Sequence, residues 1–149
     1  MNDNEISILK MLFEEHHRQL AEKRQKIHSV AEKTLAIFLI IAGWLIFTKE
    51  PLTPGVRWVI IIVATVLAIG ACRSSYINNR LYYAIAGVIR RLNEALGLHK
   101  EGEYIPNKSI YPDEWKRFGK RGKFTGAFFH IIAISVVAAL CVFAAFMRT

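Results

Sequence analysis

The sequence predicts an all-α integral membrane protein with three transmembrane helices. Three observations carry this. Apolar residues make up 53% of the 149, and mean hydropathy is +0.26. That is high for a soluble domain, whose surface has to be covered with charge. Charged residues are 21% of the chain but are segregated, some segments being dense in Lys, Arg and Glu and others having none. A chain sorted in this way lives in two solvents. Finally, three apolar runs, 34–48, 58–72 and 124–147, contain no Asp, Glu, Lys or Arg.

Residues 1–33 read as one cytosolic helix. Asn2 or Asp3 caps it, and Glu5 places a favourable charge in the first turn. Ile6, Leu9, Phe13, His16, Leu20, Lys23, Ile27 and Val30 alternate spacings of three and four, which is a heptad seam. Opposite charges flank it, as in Glu14 with Arg18 and Glu22 with Lys26. No Gly or Pro falls between Asp3 and Ala42, so the helix is expected to continue into the first span.

The first two runs, 34–48 and 58–72, are each about 22 Å long as helix, at about 1.5 Å per residue. A bilayer core of about 30 Å asks for more. Val30 and Ala31 extend the first run, and Lys33 and Arg57 have stems long enough to snorkel. Trp44 and Trp58 stand near the same end of the pair, where interfacial aromatics belong. Pro51, Pro54 and Gly55 in the connection 49–57 predict a short turn between antiparallel helices.

Segment 73–123 is expected to hold a cytosolic amphipathic helix, a loop and a short helix. Ile77, Leu81, Ile85, Val88, Leu92 and Leu96 form a stripe, and Gly97 terminates it. Pro112, Asp113 and Glu114 suit the start of the short helix. The third run, 124–147, is long enough to span with some tilt.

Charge orients these spans. Segments 1–33 and 73–123 hold seventeen Lys or Arg, and the turn and C-terminus hold three. The positive-inside rule then puts the N-terminus in the cytoplasm and the C-terminus outside the inner membrane. The opening MNDNEISILK is polar and acidic, unlike the basic-then-apolar start of a secretory signal.

Lys116, Arg117, Lys120, Arg121 and Lys123 adjoin the third span. Basic residues there gain about 1 kcal/mol each from anionic headgroups. The cluster reads as a contact with the anionic inner leaflet, since no nucleic-acid module surrounds it. His130, Ser135 and Thr65 are candidate polar or gating positions inside the spans. For His130 two readings compete: a pH-sensitive gate, because imidazole titrates near neutrality, or a neutral ring hydrogen-bonded to a neighbouring helix. Glu14–His17 contains the Glu-x-x-His spacing of di-metal bundles, but a second copy is missing, and His17 and His28 read as solvated. Cys72 and Cys141 have neither metal-ligand spacing nor a disulfide framework. No cofactor, metal or catalytic motif is expected, and the chain does not read as an enzyme.

Small residues recur four apart at Ala64, Ala68 and Cys72, at Ser135 and Ala139, and at Cys141 and Ala145. Such spacing lets helices approach closely in lipid. With Ile6, Leu9, Phe13, His16, Leu20 and Ile27 of the N-terminal seam, these residues are candidate self-association positions.

The order of heptad helix, short hairpin and cytosolic helix, closed by YPDEWK (Tyr111–Lys116), resembles the SLATT-type small bacterial membrane proteins over roughly residues 10–118. The third span departs from the two-span plan of that group. The resemblance implies a self-associating membrane protein acting as a pore or membrane-perturbing effector, often in defence. The residues alone support a homo-oligomer, possessing more apolar stripe than one small chain buries. The alternative is a non-conducting scaffold or accessory subunit that binds a protein partner through its cytosolic helices.

Overall fold

In a computed structural model, the structure describes residues 3–48, 51–103, 106–111 and 126–147, with backbone alone for 3–6. Three helices make up the fold: α1 (Asp3–Phe47), α2 (Pro54–Ala95) and α3 (Gly126–Phe146). No strand occurs among the described residues. All three are long and apolar enough to cross a membrane, and so fit a multi-pass membrane protein.

Local sequence explains the helix ends. At the end of α1, both the backbone N–H and the hydroxyl of Thr48 donate to Trp44 O, at 3.0 and 2.8 Å. The N–H bond is the last i→i−4 link of the helix, and the hydroxyl adds a second donor to the same carbonyl. Helix α2 begins at Pro54, earlier than the apolar run at 58 suggested. Proline suits the first helical position, where no N–H partner is needed, and Arg57 N donates to Thr53 O at 3.1 Å to close the first turn. At the other end, Gly97 N donates to Glu94 O and Leu98 N to Asn93 O, both at 3.1 Å. This is a Schellman cap, and Gly97 takes the left-handed φ of 68° that the cap requires.

The chain divides into two compact units. The first comprises Met1–Gln25 and Asn79–Lys123. Its core is Leu20, Ala86 and Ile89, with Phe13, Tyr82 and Ile85 packed against them. Helix α2 meets this core along a different line from the predicted stripe: Ala86, Ile89 and Asn93 are buried, whereas Leu81 and Val88 are exposed. Small and amide side chains let the helices come close, and a stripe drawn from large apolar residues alone overlooks them. The predicted short helix after Pro112 lies outside the described residues.

The second unit comprises Lys26–Asn78 and Phe124–Thr149. Ala31 and Phe38 from α1, Ala64 and Ala71 from α2, and Ile134, Ala138 and Cys141 from α3 form one core. Cys141 Sγ donates to Phe38 O at 3.5 Å, and His130 and His28 are hydrogen-bonded at 3.1 Å. The two contacts are ten residues apart on α1 and eleven on α3, so these helices run parallel and in step. Helix α2 runs the other way. Its Cys72 lies against Ile131 and Ser135, while Arg57 sits 5.5 Å from the Phe146 ring at the far end of α3. The outward faces are apolar, including Leu39, Ile40, Val66, Ile69, Leu140 and Phe143. Trp44 and Trp58 are exposed beside the end marked by Arg57 and Phe146.

Candidate functional site

Within the second unit, polar side chains cluster toward the start of α3. His130 Nε2 and His28 Nδ1 are 3.1 Å apart, their ring centroids 5.0 Å apart and their planes at 85°. One nitrogen must carry the proton and the other accept it, and either tautomer assignment serves. Further along α3, the Cys72 thiol lies 3.8 Å from Ser135 Oγ and 4.0 Å from Ile131 O. On α2, Asn78 is buried and its amide donates to Ser74 O at 2.8 Å. Ser75 is fully buried, and its hydroxyl has no hydrogen-bond partner among the described residues. Thr34, also buried, donates back to Val30 O at 2.8 Å. Self-bonding of this kind removes a hydroxyl from the inventory of groups free to meet a ligand.

The histidine contact refines two sequence expectations. His28 is exposed, as a solvated position would be, and is also the partner of His130. His130 also lies at a different height from the one counted from Phe124. If the first and third apolar runs began at one level, the two histidines would be about 18 Å apart along the bundle, at about 1.5 Å per residue. They touch, so α3 starts its apolar run well before α1 does. His130 is therefore level with the charged stretch of α1 that precedes Thr34. Phe128 and Phe129, both exposed, stand at that level too.

The other predicted positions are distributed as follows. Thr65 faces outward and its hydroxyl donates to Ile61 O at 2.7 Å. It is not brought to His130. Ser135 is exposed, and of the span candidates it lies nearest the cluster, through Cys72. Among the small residues, Ala64 and Ala145 are completely covered by their own chain. Ala68 and Cys72 pack against the core of the second unit. Ala139 faces out. On the N-terminal seam Leu20 and Ile27 are buried, and Leu9, Phe13 and His16 are half-buried, all within one chain. The side chain of Ile6 and the whole basic group Lys116, Arg117, Lys120, Arg121 and Lys123 lie outside the described residues.

On the exposed surface of α1, Glu15 accepts from Gln19 at 2.8 Å and pairs with Arg18 at 2.6 Å. These two bonds, the amide first, hold the Glu15 carboxyl below its usual range. Among the described residues, no group of three or more His, Cys, Asp or Glu side chains could hold a metal ion.

Sequence reasoning missed His28, Ser75 and Asn78. Their signal is weak in sequence, because each is a common surface residue type in a segment already rich in charge. Only the helix offset reveals which of them meet. Comparison of the chain with protein-family models, with curated protein sequences and with solved structures gives no match.

Proposed function

We propose that this chain is a non-conducting inner-membrane scaffold. It assembles with copies of itself and holds its N-terminal and post-span helices at the cytoplasmic face. One observation carries the reading: the second unit offers water no wall on either side. Its centre is closed by Phe38, Ile134, Cys141 and Ala64, all at 0% exposure. Its outward faces are chiefly Leu, Ile, Val and Phe. The outward hydroxyl of Thr65 is already donated to its own helix. A conducting path needs polar lining or a gate that works by dewetting, and among the described residues the outward span faces of a single copy offer little beyond Thr65 and Ser135.

Self-association has separate support. Gly70 is exposed on α2, with nothing of its own chain within 4 Å of where a Cβ would stand. The fold does not require a glycine there for space, whereas a second helix approaching in lipid benefits from one. The orientation rests on the charge asymmetry of seventeen against three. The basic group 116–123 then meets the anionic inner leaflet. The layout shared with SLATT-type proteins agrees with assembly, but the closed centre speaks against a pore.

The test combines two measurements on full-length protein. Cross-linking in native membranes is expected to give a ladder of homo-oligomers, and liposomes holding the protein are expected to pass no more ions than empty vesicles. Flux well above empty vesicles overturns the scaffold in favour of a pore. A monomer across a wide concentration range in mild detergent, with no protein partner retained from native membranes, overturns assembly altogether.

A further inference from the structure

We propose that His28 and His130 form a proton-operated clamp, fastening the start of α3 to α1 near neutral pH and releasing it on acidification. The geometry supports each step. With Nε2 and Nδ1 at 3.1 Å, a single N–H lies between two ring nitrogens. Two neutral rings satisfy this, one as donor and one as acceptor. One added proton is also accommodated, because an imidazolium donates to a neutral imidazole and charge strengthens the bond. A second proton is not. Both facing nitrogens then carry hydrogen, the acceptor is lost, and two cations confront each other at hydrogen-bond distance.

Release therefore requires that both rings carry the extra proton, which only acidification supplies. The contact lies on the surface of the unit, level with the charged stretch of α1, so no path through the bundle is needed for a proton to reach it. Neighbouring charges are of both signs. On α1, Arg24 and Glu32 stand one turn to either side of His28, with Lys26 and Lys33 further round the helix. On α2 the ionisable groups at this level are exposed Arg73 and Tyr76 and the half-buried thiol of Cys72, beside the uncharged Ser74, Ser75 and Asn78. On α3 no other ionisable residue falls among the described residues apart from the thiol of Cys141. Arg24 and Arg73 oppose a second positive charge, and Glu32 favours it.

Release is local. The bond from Cys141 to Phe38 O is about three turns away from the pair. The core holds that far part together, so the movement is confined to the end of α3 bearing Phe128 and Phe129. The clamp does not depend on whether the assembled protein conducts.

The experiment uses full-length protein in lipid nanodiscs. Spin labels at Ser29→Cys and Phe129→Cys, with Cys72 and Cys141 replaced by alanine, report the distance between α1 and α3. That distance is expected to lengthen and broaden between pH 7.5 and about pH 5, in line with histidine titration. Glutamine still forms a hydrogen bond but does not titrate here, so H28Q and H130Q are expected to abolish the pH response. Nitrogen NMR of labelled histidines in the cysteine-containing protein provides a second readout. It is expected to show two steps for the pair and a single step for the remaining ring in either variant. An unchanged distance across this pH range, an unchanged response in both glutamine variants, or two independent, ordinary titrations in the NMR would each overturn the clamp.

Discussion

The two units use the same two long helices but are built from different side chains. In the first unit, Leu20, Ile89, Phe13, Tyr82 and Ile85 supply bulk around one Ala, and the outward faces carry Glu14, Arg18, Glu22 and Arg91. In the second, four of the seven core residues are alanine and one is cysteine, while large apolar side chains point outward. The contrast matches the solvents of the proposed placement, water for the first unit and lipid for the second. In water, burying apolar surface is itself the driving force, so bulk belongs inside. In lipid, the tails are as apolar as the protein, so little is gained by exchanging one for the other. Close packing of small residues then holds the helices together.

This contrast can be broken by measurement. Hydrogen exchange in nanodiscs reads the opening of each unit separately. The largest effect is expected for Ile89→Ala, at about 3 kcal/mol, because both the transfer of apolar atoms out of water and the cavity count against the variant. Val88→Ala, on the exposed side of the same helix, is expected to stay within about 0.5 kcal/mol. Phe38→Ala removes more atoms from an equally buried site, yet the expected loss is only about 2 kcal/mol. Lost packing is the main term there, since lipid is no worse a solvent for the ring than the core is. A cost per carbon as large at Phe38 as at Ile89 would break the comparison.

The smallest effect concerns the charged face of α1. Glu15 is partly exposed, and its carboxyl is held low first by Gln19 and then by Arg18. A lowered carboxyl stabilises the fold above its unfolded pKa, and that contribution disappears as pH falls through the folded value. The window therefore lies in the acidic carboxylate range, below that of the histidine clamp. Solvent screening makes the pair weak. Glu15→Gln is expected to leave exchange of the first unit unchanged at neutral pH and to remove only a slight acid sensitivity. A marked neutral-pH effect would mean that the face is covered by something other than water.

Much of the fold could be read from residue order alone. Charge-free runs marked three candidate spans, and three helices long and apolar enough to cross a membrane overlap them, because an uncompensated charge in hydrocarbon is costly wherever the helix packs. The unbroken stretch from Asp3 to Ala42 predicted continuity of the first helix, and Gly97 its counterpart's end in α2, since helix propensity and left-handed φ are local properties. The start of α2 at Pro54 went unread, Pro54 being assigned to the turn, although Pro at a first helical position is a local signal. Phe13, Leu20 and Ile27 were assigned to a packing seam on period alone.

The tertiary structure decided what periodicity cannot. Period gives a helix an apolar side but not its height against a neighbour, so nothing in the chain aligned His28 with His130. The offset between α1 and α3 comes from the packing of Ala31, Phe38, Ile134, Ala138 and Cys141. It brings together two histidines that their own apolar runs would have kept about 18 Å apart. The same packing assigned Ala64 and Ala145 to the inside of the chain, and within the first unit the separate packing around Leu20, Ala86 and Ile89 left Leu81 and Val88 exposed. A small residue suits an internal contact and an external one equally well, and only the positions of the other two helices determine which it makes.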